Sequence, residues 1–586
     1  MLRNLSLRTA IASFLAVNLA SYPIALTAQQ APADEPNITI RANTRLVVVD
    51  VVVTDKSGQP VAGLKPEDFT LEENGKKQKI SVFVPPGIAN QSSRAAAPLG
   101  PGIFSNHPEN VDPGGVPLVL LLDATNSSFS NQSYARSQML KYVLEHGTGR
   151  SIAVLTLTDR LRVLQQFTSD PQVLMTAIKN FMPTSPILQG GAPAPADVAA
   201  AGGASGGIHG NGGTGSSIGQ SIQDFANLQI GYNIERRTLI TLDAMETLSR
   251  MLGGLPGRKN VVWLTADLPF DLVPEDRAVS DAELEADLPS ARQKSVSTIA
   301  AGSQAAEQRS LHSQQIREAE TQLASAGVAI YPVDLRGLVS GMENSAGYKG
   351  SNYSDTGLSN RATGRVDSLQ ASHGTMEEVA SETGGKAYIN ENEIKEGVAL
   401  AASDEKASYS LGYYPENKKW DGKMRNIKVK LDKGDTQIRY RKGYFAIEPG
   451  LIKDHNYEQD VISALAVDAP ATQVIFKAQA KPSDPGKVRV IFLVDPQSVT
   501  AEDSGGSKKM NVSFYASVWG SNGKSMGIRS IKVDKSFDAA TYQQILDHGM
   551  MVPVDLEIPQ GGTELRLAVL DNKTGYIGTV SGPVGQ

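Results

Sequence analysis

At 586 residues the chain is too long for a single core, and its length allows roughly four domains. A formal net charge of −6 excludes a global basic field for nucleic acid, and 40% apolar side chains suffice for real cores. The complete absence of cysteine excludes disulfides, thiolate zinc sites, a cysteine nucleophile and a lipidated N-terminal cysteine.

Residues 1–28 read as a secretion signal. Arg3 and Arg8 precede the apolar stretch Ala10 to Ala20, and small residues around Leu26-Thr27-Ala28 offer a cleavage point. The stretch is interrupted by Asn18 and short for a bilayer span; a retained anchor is the alternative. The expected location is therefore secreted, periplasmic or extracellular. Residues 37–86 predict a small β-sandwich-like module. Thr44 to Thr54 is rich in β-branched residues, Asp55-Lys-Ser-Gly58 supplies a turn, and Asn74-Gly75 is a hairpin signal. Residues 87–115 read as a Pro, Ser and Gly linker.

An α/β pattern begins at residue 116. Leu118 to Leu122 has the length and composition of a strand buried on both faces of a parallel sheet. A helix is predicted around 133–145. The apolar runs 151–158 and 160–167 are too close for a crossover and should pair as an antiparallel hairpin. The Gly-, Ala-, Ser- and Pro-dominated insertion 184–219 is expected to stay disordered, because it lacks apolar surface to offset the cost of ordering. A helix ending near Leu252, a strand at Asn260 to Thr265, a polar helical stretch from 281 to 326 and a strand at Val328 to Val333 follow. Trailing antiparallel strands are predicted at 408–414, 426–431 and 436–440. Residues 455–586, with apolar runs between Gly, Asn and Asp turns, predict a C-terminal β-sandwich. No run of about 18 apolar residues follows the signal, so no transmembrane segment is expected in the mature chain.

The chemistry concentrates where the Leu118 strand ends. Asp123 falls at the carboxyl edge, where open α/β sheets place their ligands. Hydroxyls at Thr125 and Ser127 would add hard oxygen donors, a set that suits Mg²⁺ with a position left for a partner's carboxylate. The plain alternative is that Asp123 caps a loop or the following helix and binds nothing. Elsewhere the seven histidines are scattered, with no HExxH spacing. The GxSxG matches at Ser205 and Ser217 lie in the Gly-rich insertion, without the strand-turn-helix setting of a nucleophile elbow. Asp334 reads as a turn acid before Arg336 and Gly337. With no nucleophile and base brought together, no enzymatic activity is expected.

The order strand, helix, antiparallel hairpin, helices, strand, helix, strand resembles the von Willebrand factor type A (VWA) domain. Asp123-x-Thr125-x-Ser127 is similar to its DxSxS metal-ion-dependent adhesion signature, with Thr for the first Ser. More closely, the chain resembles the bacterial secreted VWFA-related family across residues 40–446. The resemblance rests on Val51-Val-Val-Thr-Asp-Lys-Ser-Gly-Gln-Pro-Val, Asp68-Phe-Thr-Leu-Glu-Glu-Asn-Gly, Leu255-Pro-Gly-Arg-Lys-Asn-Val-Val-Trp, Val328-Ala-Ile-Tyr-Pro-Val-Asp and Arg441-Lys-Gly-Tyr-Phe. It implies a doubly wound, Rossmann-like α/β domain over 116–446, with the β module before it and the β-sandwich after it. It also implies Mg²⁺ held by Asp123, Thr125 and Ser127, a threonine from a second loop and an aspartate after the fourth strand. Thr238 and Thr241 are the candidates for that threonine. If they lie in a helix, a hydroxyl bonded back to the preceding turn is the alternative. Thr265-Ala266 stands where the fold usually has Thr-Asp, which moves the last ligand to Asp267 or removes it and makes the site degenerate. The implied function is protein binding, adhesion or envelope assembly with a protein partner. An extracellular hydrolase and a passive structural spacer are the alternatives.

Overall fold

The β-branched run near the start of the chain forms β1 (Val47–Asp55), whose Val47, Val49, Val51 and Val53 enter a core. The computed structural model describes residues 46–87, 99–111, 117–147, 149–184, 215–269, 315, 319, 321–337, 372–390, 394–446 and 456–584. The expected signal (1–28), Ser205 and most of the Gly-rich insertion lie outside the described residues. After β1 come β2 (Phe69–Glu73), β3 (Lys76–Gln78) and β4 (Ile80–Val84). Asn74 and Gly75 both take positive φ in the β2–β3 turn, which is why that dipeptide marks the hairpin.

These four strands do not close a sandwich by themselves, which corrects the 37–86 module. β1 pairs with β11 (Ser408–Tyr413) and β13 (Thr436–Arg439), while β2 pairs with β12 (Met424–Leu431), itself flanked by β14 (Gly443–Phe445). Sheet β13-β1-β11-β4 thus faces sheet β14-β12-β2-β3 around Val49, Val51, Leu71, Tyr409, Leu411 and Val429. A sheet with one apolar face needs a second layer, and the early strands supply only half of each. The chain leaves this sandwich, builds the α/β region and returns, so residues 408–446 belong to the sandwich. The 87–115 linker is corrected as well. It contains β5 (Ile103–Ser105), which pairs with β15 (Phe476–Pro482) and sends Phe104 into the C-terminal core.

The α/β region runs β6 (Leu118–Asp123), α1 (Phe129–His146), β7 (Ile152–Leu157), β8 (Leu161–Thr168), α2 (Pro171–Asn180), α3 (Gly215–Leu252), β9 (Lys259–Thr265), β10 (Val328–Asp334), α4 (372–383) and α5 (Ile394–Ser403). α3 starts inside the insertion expected to be disordered, and Ser217 therefore lies on a helix. The sheet order is β10-β9-β6-β7-β8, parallel except for β8, which returns antiparallel to β7 as the short turn demands. Alternate residues of β6 and β9 face opposite layers. Val119, Leu121, Val261 and Trp263 pack toward α3 and α4, whereas Leu118, Leu120, Leu122, Val262 and Leu264 pack toward α1, α2 and α5. The chain is thus an α/β fold combined with antiparallel sheets.

The C-terminal sandwich packs sheet β20-β16-β15-β5 on a second sheet. The first contains β16 (Lys487–Val494) and β20 (Met550–Glu557); the second contains β17 (Ala501–Ser504), β18 (Ser507–Gly520), β19 (Ser525–Phe537), β21 (Gly562–Asp571) and β22 (Ile577–Pro583). Helix α6 (Tyr457–Ala466) covers the outer face of the second sheet, and α7 (Ala539–His548) links β19 to β20. Thr472 joins this sandwich to α3. Its N–H donates to Arg250 O, its hydroxyl donates to Met251 O at 2.8 Å, and Gly254 N–H donates to the same hydroxyl at 2.8 Å. Gly254 must lack a side chain here, since a Cβ would fall 1.9 Å from Thr472 O. Thr472→Val should orphan two backbone groups of the helix end. The expected loss is about 2 kcal/mol, read from the urea midpoint.

At the amino end of β9 the Arg-Lys-Asn run binds the layers together. Arg258 donates to Tyr331 Oη at 3.0 Å and Gly384 O at 2.6 Å, Asn260 Nδ2 to Ala401 O at 2.9 Å, and Lys259 Nζ to Ala326 O at 2.7 Å. Tyr331 Oη in turn donates to Asp404, which also holds Arg439 of β13. This motif is therefore a structural joint between the α/β region and the first sandwich. Among the described residues no helix is long and apolar enough to cross a membrane.

Candidate functional site

Asp123 is the last residue of β6 and still pairs with Leu157 of β7, so it has not left the sheet. Its odd parity directs the side chain to the face of Trp263 and α3, and the carboxylate is fully buried. Four donors surround it. Asn126 N–H reaches Oδ1 at 2.9 Å, while Asn126 Nδ2, Trp263 Nε1 and Thr265 Oγ1 approach Oδ2 at 2.8, 3.1 and 3.0 Å. Burial pushes the Asp123 carboxyl up from the ordinary carboxylate range, and the Asn126, Trp263 and Thr265 hydrogen bonds work against that shift. This corrects the expectation of a ligand-binding acid at the open carboxyl edge: the acid faces the interior, not solvent.

The other expected ligands are also turned onto protein. Thr125 Oγ1 donates to the carbonyls of Leu157 and Thr158. Ser127 Oγ accepts from Ala266 N–H at 3.1 Å. Thr241 Oγ1 donates back to Arg237 O at 2.9 Å, the helix-internal bond that was its alternative reading. Thr238 Oγ1 donates to Pro269 O at 3.1 Å. Asp267 does come near, but its partner is a cation of the chain itself: Arg237 Nη2 donates to Asp267 Oδ2 at 2.9 Å. Arg237 Nε donates to Asn126 Oδ1 at 2.6 Å, completing the relay Asp267, Arg237, Asn126, Asp123.

Magnesium needs several oxygens converging on one point at about 2.1 Å, with little tolerance in angle. Here both oxygens of the Asp123 carboxylate accept hydrogen bonds from the protein, the hydroxyls of Thr125 and Ser127 are committed to the backbone, and a guanidinium bridges Asn126 and Asp267. As arranged, these residues do not fit a divalent cation. Among the described residues, no group of three or more His, Asp or Glu side chains could hold a metal. Reading the sequence for ligands missed Arg237, Asn126 and Trp263. The only local signal was that Arg237 directly precedes Thr238 and that Asn126 sits inside the acid-hydroxyl run.

The loop between β6 and α1 is fixed by Gln132, whose Nε2 donates to Ala124 O and Ser127 O, while Ser128 caps α1 by accepting from Asn131 N–H. Around this sealed centre the rim exposes Phe129 at the start of α1, the Asp159–Arg162 pair in the β7–β8 turn and the outer edge of Asp267. One register step along, Asp334 pairs with Thr265 across the β10–β9 ladder. Its buried carboxylate accepts from Arg336 Nε at 2.8 Å and contacts His373 Nε2 at 2.7 Å, so the turn-acid reading holds but omitted the histidine. The hydroxyl in this cluster, Ser372, accepts from Arg336 Nη2 at 3.1 Å.

No family model matches this chain, and no curated protein matches it. Among solved structures, an aerotolerance-related membrane protein from Bacteroides fragilis, with multiple mutations to serines, aligns at 12% identity and TM-score 0.21, over 50% of this chain and 100% of that one. A von Willebrand factor type A protein from Catenulispora acidiphila aligns at 8% identity and TM-score 0.19, over 94% and 75%. An endonuclease/exonuclease/phosphatase from Beutenbergia cavernae aligns at 10% identity and TM-score 0.13, over 31% and 38%. At these TM-scores none of them carries an argument about function.

Proposed function

We propose that this chain is a secreted, VWA-like binding or assembly protein, without catalytic activity, whose central domain works without a divalent cation. One observation carries the reading: the Arg237 guanidinium ties Asp267, an expected metal ligand, to Asn126 at 2.9 and 2.6 Å, and Asn126 in turn donates to Asp123. A fixed internal cation removes dependence on metal supply but also removes the open coordination position a partner's carboxylate would use. The partner then meets the rim through the exposed Phe129, Asp159, Arg162 and Asp267 rather than through a metal bridge. An aromatic among charged groups at the carboxyl edge of an α/β sheet suits a protein partner.

Isothermal titration should give no saturable heat with Mg²⁺ or Mn²⁺ on the wild-type chain. Saturable binding that Asp123→Ala abolishes would overturn the metal-free mechanism. A photo-crosslinker at position 267 should yield one discrete protein adduct in cells, lost with Phe129→Asp. Turnover of a peptide or glycan panel, abolished by a single substitution, would favour the hydrolase instead.

A further inference from the structure

A two-layer sandwich normally buries alternate residues of each strand, yet not one of the 13 residues of β19 is buried. One edge of β19 pairs with β18 along its length, and its other edge pairs with no described strand. Val533 and Phe537 touch the sandwich core and are half-buried, while the other eleven residues of β19 are exposed and one of its backbone edges is left unpaired by any described strand. Long free edges are templates for another strand, and natural proteins usually shorten, cover or charge them. This one is neither short nor covered.

Its side chains define what would fit. Ile528 and Ile531 are exposed apolar groups, and Arg529, Lys532 and Lys535 recur at every third position. Those three cations form no ion pair with any described residue, whereas the one acid, Asp534, is matched by Lys509 of β18 at 3.4 Å. A second copy of this chain would set three uncompensated cations beside three more, which disfavours self-pairing. An acidic strand would instead neutralise them while its apolar residues cover the isoleucines.

We propose that the free edge of β19 accepts, by antiparallel strand addition, an extended segment of a partner protein with acids every third residue and apolar residues between them. The proposal deepens the binding reading by naming a surface and a partner chemistry. It concerns the C-terminal sandwich, so its failure leaves the rim and metal tests untouched, and theirs leaves it untouched.

The test uses the full chain and two capped peptides, Glu-Ser-Val-Glu-Val-Thr-Glu-Val and its counterpart with lysine for each glutamate. Fluorescence anisotropy should show saturable, salt-sensitive binding of the glutamate peptide alone. The triple variant Arg529→Glu, Lys532→Glu, Lys535→Glu should bind that peptide at least about tenfold more weakly and should now bind the lysine peptide. This exchange of preference shows that the variant is folded. Absence of saturable binding, equal binding of both peptides, or indifference to charge reversal would overturn the proposal. A wild-type dimer in sedimentation, dissolved by Ile531→Lys, would assign the edge to a second copy and overturn it as well.

Discussion

Asp123→Ala should lower the unfolding free energy by about 4 kcal/mol, with the same loss in Mg²⁺ and in chelator. The substitution strands Asn126 N–H, Asn126 Nδ2 and Trp263 Nε1, all buried donors that now end on the carboxylate. Each unsatisfied buried donor costs roughly 1–3 kcal/mol, and the small void adds to that. Asp123→Asn should recover only part of the loss. Its amide has one oxygen, so its NH₂ must face donors on one side or the other. Urea unfolding followed by tryptophan fluorescence measures both variants. A wild-type midpoint that rises with Mg²⁺ while the variant's does not would show that the aspartate serves a metal rather than the interior.

The second large effect lies at the opposite end of the sheet and depends on pH. Burial lowers the Lys259 ammonium to about 8, with Asp50 opposing the shift, and its Nζ donates to Ala326 O. Unfolded, the same group titrates near 10.5. Between those values the unfolded chain holds the extra proton, so stability should rise with pH across that window and be flat, for this group, below it. A displacement of that size corresponds to about 3 kcal/mol. Lys259→Met should abolish the alkaline rise. It should also stabilise the chain by about 2 kcal/mol at pH 7, because removing the charge outweighs the carbonyl left behind. Parallel pH–stability curves for the two proteins would refute this account.

Much of the local structure was legible because it is set by near neighbours. The continuous apolar run of β6, the hairpin forced by the short β7–β8 turn and the Asn74-Gly75 turn all appear as read. The site was legible only in part. Asp123, Thr125 and Ser127 do cluster at a strand end, but whether their oxygens point to solvent depends on what covers them. That cover is α3, whose Arg237 lies more than a hundred residues away in the chain. β19 was not anticipated, since its mixed charged and apolar residues lack the alternation of a half-buried strand.

By itself, the sequence determined the central strands, the β7–β8 hairpin and the Asn74-Gly75 turn, that no thiol chemistry is present, and that an acid ends the central strand, because composition, periodicity and turn residues act over a few neighbours. Only the tertiary structure decided that β1 belongs beside β11 and that Asp123 is sealed beneath a guanidinium relay. The reason is physical. Apolar faces and buried charges are satisfied by whatever packs against them, and those partners come from distant parts of the chain.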